Sequence, residues 1–438
     1  MKNKKLLVGT LAVATLLMAA CGSSKQEDEG SKAEDGQTKV SFAWWGSETR
    51  HKTYIEAIEA FEKANPDIDI EYEYSAWDDY WKKLATKAAA GELPDVLQMD
   101  LTYVAQYGGK NQLADMSEFL KDGGTIDTTN IDKSLIETGK LDDKLYGAAP
   151  AMNSMGMLVN KDFLAKDSVE LDFSSYTYQD FEKAALDLKK DSDEYGFVDN
   201  SDNSVLLQYY LRSKGEDLYK YNEDGKPEVG FSEENFVSFM QSIQDMVKAK
   251  AMPTAEVVTN IKSFDEYPLS LGKAGLYQTW TNQFVTFTDS AAEGVNLSLE
   301  LPYDSGTGAL SYRPTFFYSI AETSKVKDAA AKFVNYMIND EEGAKILGTE
   351  RGIPSNSEIK AALYPDMTDI EKATADYLEN IADVVGDPSP IPPMGYSELN
   401  SHFKDVYAEI TYETMTPKEA YDSYVAKAKE IFEENYAE

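Results

Sequence analysis

The sequence predicts an α/β protein that opens on a parallel, doubly wound sheet. Strand-like runs and helical periodicities alternate as β-α-β-α-β between residues 40 and 99. Such an order puts helices between parallel strands. The chain has 438 residues, enough for two or three domains, each with its own core. Hydrophobic residues make up 42 % and aromatic ones 12 %, a globular composition rather than a disordered one.

The first strand is Val40-Ser-Phe-Ala-Trp-Trp45. A helix over 53–64 follows, with Ile55, Ala57, Ile58 and Phe61 on one face, and Asn65-Pro66 ends it. Residues 68–74 alternate as a second strand. A second helix, 78–90, is capped by Gly91, with Pro94 beyond. The run 95–99 is the third strand. Further on, 147–160, 275–280 and 295–302 read as strands, and 178–190 and 326–339 as helices. Three helical segments, near 366–384, 396–412 and 417–436, close the chain.

The first twenty residues read as a leader outside the fold. Lys2, Lys4 and Lys5 precede an apolar run, 6–20, too short for a comfortable bilayer span. It ends Leu17-Met18-Ala19-Ala20-Cys21, which resembles a bacterial lipoprotein signal with lipidation at Cys21. Residues 21–38 hold the expected lipidated Cys and a flexible acidic linker without large apolar residues.

Charge and rare residues exclude several function classes. A formal charge of −35 opposes binding to phosphate backbones, so no nucleic-acid partner is expected. One Cys excludes a disulfide framework, and two His, His51 and His402, argue against a His-rich metal site or a Ser–His triad. The acid-rich stretches 191–196 and 199–203 lack a full calcium loop and read as solvated turns. No cofactor or metal is expected.

Strand ends carry the informative residues. Strand one ends in Trp44-Trp45-Gly46, strand two runs toward Trp77, and strand three ends at Asp100. In open α/β sheets ligands sit at such carboxyl ends. The strand 275–280 also ends in Trp, and Trp280 precedes polar Thr281, Asn282 and Gln283.

Several blocks in order then identify a resemblance. They are Phe42-Ala-Trp-Trp-Gly46, Trp77-Asp-Asp-Tyr-Trp-Lys-Lys-Leu-Ala-Thr86, Gly91-Glu-Leu-Pro-Asp-Val-Leu-Gln-Met-Asp100, Leu145-Tyr-Gly-Ala-Ala-Pro150, Met157-Leu-Val-Asn-Lys-Asp-Phe163, Gly272-Lys-Ala-Gly-Leu-Tyr277 and Arg351-Gly-Ile-Pro-Ser355. Together they resemble the extracellular solute-binding proteins, family 1, of bacterial ABC importers. The resemblance implies a two-lobe fold of the type II periplasmic-binding-protein kind, with a ligand cleft between lobes that close on a sugar. It places 39–150 with 303–355 in one lobe and 151–302 with 356–438 in the other. It further implies a monomer, held outside the membrane by its lipid alone, in a Gram-positive setting, delivering an oligosaccharide to permease subunits.

A sugar has apolar C–H faces and a hydroxyl rim, so its site needs aromatic rings beside polar groups. Trp44 and Trp45 point to opposite faces of their strand, and at least one is expected to touch sugar. Trp77 is a ligand contact or a staple on Trp81, and Trp81 reads as core. Asp100 is a ligand contact or a helix N-cap. Trp280 is the expected stacking platform. The resemblance adds Asn153 and Tyr396. Among only four Arg, Arg50 follows the first strand end and Arg313 precedes Pro314 near the second crossover the resemblance implies; a guanidinium suits a uronate carboxylate, and ordinary ion pairs are the competing reading. Neutral and uronate-containing sugars both stay open. The alternative functions are a surface glycoside hydrolase using an Asp/Glu pair and a tethered adhesive lipoprotein.

Overall fold

The structure is a computed structural model that describes residues 36–166, 168–188, 193–199 and 203–436. The leader, Cys21 and nearly all of the linker lie outside these residues, as do parts of both acid-rich turns. Among the described residues no helix is long and apolar enough to cross a membrane, and no cluster of three metal-ligating side chains occurs.

The opening elements are β1 (Thr38–Trp45), α1 (Glu48–Ala64), β2 (Ile68–Ser75), α2 (Trp77–Ala90), β3 (Val96–Met99) and α3 (Leu101–Gly108). β1 pairs in parallel with β2 from Thr38↔Ile68 to Trp45↔Ser75, and with β3 at Phe42↔Val96 and Ala43↔Leu97. The expected β-α-β-α-β order is therefore present. α1 starts earlier than its apolar periodicity suggests, because the Ser47 side chain accepts a hydrogen bond from the Arg50 amide and caps it. Gly91 ends α2 at φ +73°, a left-handed cap that suits glycine.

The run expected as one strand over 147–160 is two, β4 (Ala151–Asn153) and β5 (Met155–Asn160). Ser154 divides them. Its amide donates to the Thr281 hydroxyl at 3.3 Å, and its own hydroxyl donates to the Ser311 carbonyl at 3.0 Å. β4 and β5 consequently join different sheets. After α4 (Tyr178–Leu188), β6 (Tyr195–Phe197) and α5 (Glu233–Lys248) come β7 (Ala274–Trp280) and β8 (Leu297–Glu300). The second sheet has the order β8-β5-β7-β6, with β5 antiparallel to both β7 and β8 and β6 parallel to β7.

The chain then returns through β9 (Arg313–Pro314) and β10 (Phe317–Ile320). β10 lies antiparallel to β3, which completes the first sheet as β10-β3-β1-β2. The helices α6 (Lys327–Asn339) and α7 (Glu341–Leu347) follow, then β11 (Ile353–Pro354). β4 sits between β9 and β11 and pairs antiparallel with each, a three-stranded strut joining the two sheets. The closing helices are α8 (Asp369–Asn380), α9 (Tyr396–Thr411) and α10 (Pro417–Asn435). α9 and α10 pack on each other and on α5. Two sheets, each covered by helices and linked by the strut, leave a cleft between two lobes.

Candidate functional site

β1 delivers its two tryptophans as a strand must, to opposite faces. Trp44 has no exposed surface and packs among Phe42, Tyr54, Tyr72 and Tyr74. The expectation that includes Trp44 among ligand contacts is corrected accordingly, since a ring enclosed on this face offers nothing to a solute. Trp45 faces the cleft side. It meets Trp77 edge-on at 5.0 Å and Phe316 at 5.9 Å. Trp77, at the first turn of α2, is 42 % exposed. Trp81 is buried and stacks on Tyr103 at 3.8 Å, as its place on the inner helix face requires.

These rings border a cavity of about 660 Å³ where the ends of the first sheet meet the second lobe. Trp45, Arg50, Trp77, Asp100 and Asn153 all line it. Asn282 and Thr286, just beyond β7, and Glu371 and Thr374 of α8 line it from the other side. Asp100 serves as the N-cap of α3 while facing the cavity, and its Oδ1 accepts from the Thr102 amide at 2.9 Å and hydroxyl at 2.6 Å. The N-cap reading of Asp100 holds, and the residue also lines the cavity. Arg50 forms an ion pair with Glu350, Nε to Oε2 at 2.7 Å. Asn153 is buried, and among the described residues its amide makes no side-chain hydrogen bond.

Trp280, Arg313 and Tyr396 line a second, adjoining cavity of about 100 Å³. The two meet because Asn153 and Arg313 are cross-strand partners in the strut, and because Asp100 lines one and Leu101 the other. The Arg313 guanidinium carbon lies 4.8 Å from the Trp280 ring centroid. That ring was expected to be a bare platform; one of its faces instead carries a cation. Tyr396 begins α9, with Tyr219 edge-on at 6.0 Å.

One functional candidate escapes sequence reasoning. Arg351 lies beneath the larger cavity, its guanidinium among the rings of Phe316, Tyr54 and Trp45 at 4.6, 5.3 and 5.4 Å. It donates to the Trp45 carbonyl at 2.8 Å and to the Gln98 amide oxygen at 2.5 Å. Burial pushes its pKa down, yet a guanidinium stays charged. Gln98 in turn donates to the Tyr54 hydroxyl at 2.8 Å, which pairs with Tyr318 at 2.9 Å. The available signal was Gln98 itself, an amide inside the otherwise apolar β3, since a buried polar group needs a partner.

Comparisons with known proteins show the family and the fold. The sequence profile described as bacterial extracellular solute-binding protein matches residues 56–375. A maltooligosaccharide ABC transporter solute-binding lipoprotein of Streptococcus pneumoniae is 24 % identical over 380 residues, 84 % of each chain. The extracellular solute-binding protein family 1 structure from Alicyclobacillus acidocaldarius superposes with a TM-score of 0.73 at 26 % identity, covering 90 % of this chain and 98 % of the other. A periplasmic oligogalacturonide binding protein from Yersinia enterocolitica has a TM-score of 0.76 at 21 % identity, covering 91 % of this chain and all of the other, a likeness of fold.

Proposed function

The chain belongs to the bacterial extracellular solute-binding proteins, and from that premise we propose that it captures an oligosaccharide in its cleft and delivers it to an ABC importer. One observation carries this reading. Aromatic rings and uncommitted polar groups from both lobes line the cleft, Trp45 and Trp77 on one side and Asn153, Asn282 and Trp280 on the other. Rings take the sugar faces and amides the hydroxyl rims. The maltooligosaccharide-binding relative supports the same substrate class.

The reading is non-catalytic. A glycosidase needs one carboxylic acid with a raised pKa near a second carboxylate. Of the acids lining the larger cavity, Glu350 is held by Arg50, and Asp100 caps α3. Burial pushes Glu371 up, but hydrogen bonds from Thr349 and Thr368 outweigh it and hold its pKa below the usual value.

Lipid on Cys21 would tether the protein outside the cytoplasmic membrane of a Gram-positive cell, with the linker giving reach, and the receptor would act as a monomer. Strand membership supports a division into 39–150 with 303–355 and 151–302 with 356–438, the strut carrying the crossings. A thermal-shift screen of the leaderless chain against malto-, galacto-, xylo- and uronate oligosaccharides tests the function. A reproducible rise in melting temperature with at least one is expected; none across the panel would sink the proposal.

A further inference from the structure

The four arginines divide sharply by partner. Arg50 has Glu350 at 2.7 Å and Arg212 has Asp217 at 3.1 Å. Arg351 donates to two neutral acceptors. Arg313 differs from all of these. Among the described residues no carboxylate stands within 4.0 Å of its guanidinium and no acceptor bonds it; it rests on Trp280 at 4.8 Å. In a chain with 77 Asp and Glu, an arginine in a cavity with no acid beside it calls for explanation.

The two cavities also differ in charge. The larger is lined by Asp100, Glu350 and Glu371 against Arg50 and Arg351, an excess of acid. Among the described residues, the smaller is lined by Arg212 and Arg313 and by no Asp or Glu. With Arg212 already paired, the described residues leave the smaller cavity one uncompensated positive charge. Contact with the Trp280 ring braces the guanidinium, whose N–H fork suits a bidentate partner. A volume of about 100 Å³ fits a carboxylate and the ring edge that bears it, not a second sugar. The overall charge of −35 does not forbid this. At about 0.15 M salt its field fades within roughly 8 Å, so local pairing decides.

We propose that the Arg313–Trp280 cavity seats the carboxylate of a uronate unit, so that an acidic oligosaccharide lies along the cleft in one orientation. Its acidic end sits at Arg313, and its less charged units run past Asn153 toward Trp45 and Trp77. This rests on the receptor reading above and adds the substrate class and its direction.

Calorimetry on the leaderless chain tests it with oligogalacturonides and uronate-bearing xylo-oligosaccharides, each against its methyl ester of equal length. The ester removes the charge and little else. At least one free acid is expected to bind about tenfold or more tighter than its ester. Arg313→Gln should abolish that gap and Arg313→Lys should keep part of it, both with unchanged melting of the unliganded protein. Higher salt should weaken the acid and leave the ester unaffected. Equal binding of acid and ester, or equal weakening of both by Arg313→Gln, would overturn the uronate site. Binding of neutral malto- or galacto-oligosaccharides with no acid bound would overturn it too while leaving the receptor reading intact. Failure of every acidic and neutral oligosaccharide to bind would overturn the receptor reading and this inference with it.

Discussion

Arg351 grips Trp45 twice, through a 2.8 Å hydrogen bond to its carbonyl and through a guanidinium 5.4 Å from its ring centroid. The two residues are 306 positions apart. The contact ties the cleft end of β1 to the segment just before β11, so the indole at the cavity wall is held in place by a residue next to the strut. Substitution of Arg351 by Met keeps apolar contact with the rings but strips hydrogen bonds from the Trp45 carbonyl and the Gln98 amide. An orphaned buried acceptor costs about 1–3 kcal/mol, while removing a buried cation gives some of that back. The expected net is a loss of about 1–3 kcal/mol in denaturant unfolding, together with weaker sugar binding. An unchanged midpoint would show that burying the cation cancels all it contributes.

Trp44 and Trp77 should behave oppositely. Trp44→Ala empties a fully buried site and should cost about 3–5 kcal/mol of stability, with little selective effect on sugar affinity in the folded fraction. Trp77 is 42 % exposed. Trp77→Ala should cost about 1 kcal/mol or less in stability yet weaken sugar binding by about tenfold or more, as truncating an interface anchor does. Calorimetry alongside melting separates the two, and similar profiles for both variants would refute the assignment.

His51 sets a pH dependence. Its pKa is pushed below the ordinary value chiefly by burial; Glu48 opposes this, and Arg50 and Arg351 add to it. Its Nδ1 accepts from the Trp44 indole N–H at 3.2 Å, which requires a neutral ring. Below about pH 6.5 the unfolded chain therefore binds the proton more readily than the native one. The contribution is fully present above that pH and is lost as pH falls through the lower native value. Melting temperatures should decline between pH 7 and 5, and His51→Gln should flatten that slope. A slope identical in the variant would exclude His51 as its source.

Ligand should draw the lobes together, because the cleft is lined from both. Small-angle scattering with a bound oligosaccharide should report a smaller radius of gyration than without. No change on saturation, in a protein whose unliganded form is shown to be open, would count against closure.

Cys21→Ala should release the protein from membranes while its sugar affinity stays unchanged, since the residue precedes the folded part. Cell fractionation reads the first effect and calorimetry the second. Undiminished membrane retention would rule out an anchor at Cys21.

Period and punctuation made most of the elements legible. The alternation of β1, the Gly91 cap and the apolar stripe of α1 are local properties, and local rules read them. The start of α1 was less legible, because Ser47 caps a first turn that has little apolar periodicity. The break at Ser154 was invisible, because it depends on Thr281 and Ser311, more than a hundred residues away. The ends of the strands pointed to the cleft, as sheet geometry demands. They could not say that Trp44 is sealed beneath Tyr72 and Tyr74, or that Trp280 shares its ring with Arg313.

By itself the sequence determined the alternating α/β architecture, the acidic surface, the leader-like start and the concentration of tryptophan at strand ends. These follow from composition and from periodicities within a few residues. Tertiary structure alone decided which polar groups lack partners. Arg50 found Glu350 and Arg212 found Asp217, whereas Arg351 was enclosed in rings and Arg313 was left facing a cavity without acids among the described residues. The reason is physical: a charge is defined as paired or unpaired by what stands within a few ångströms of it, and in this fold those neighbours come from segments as far as 306 residues apart.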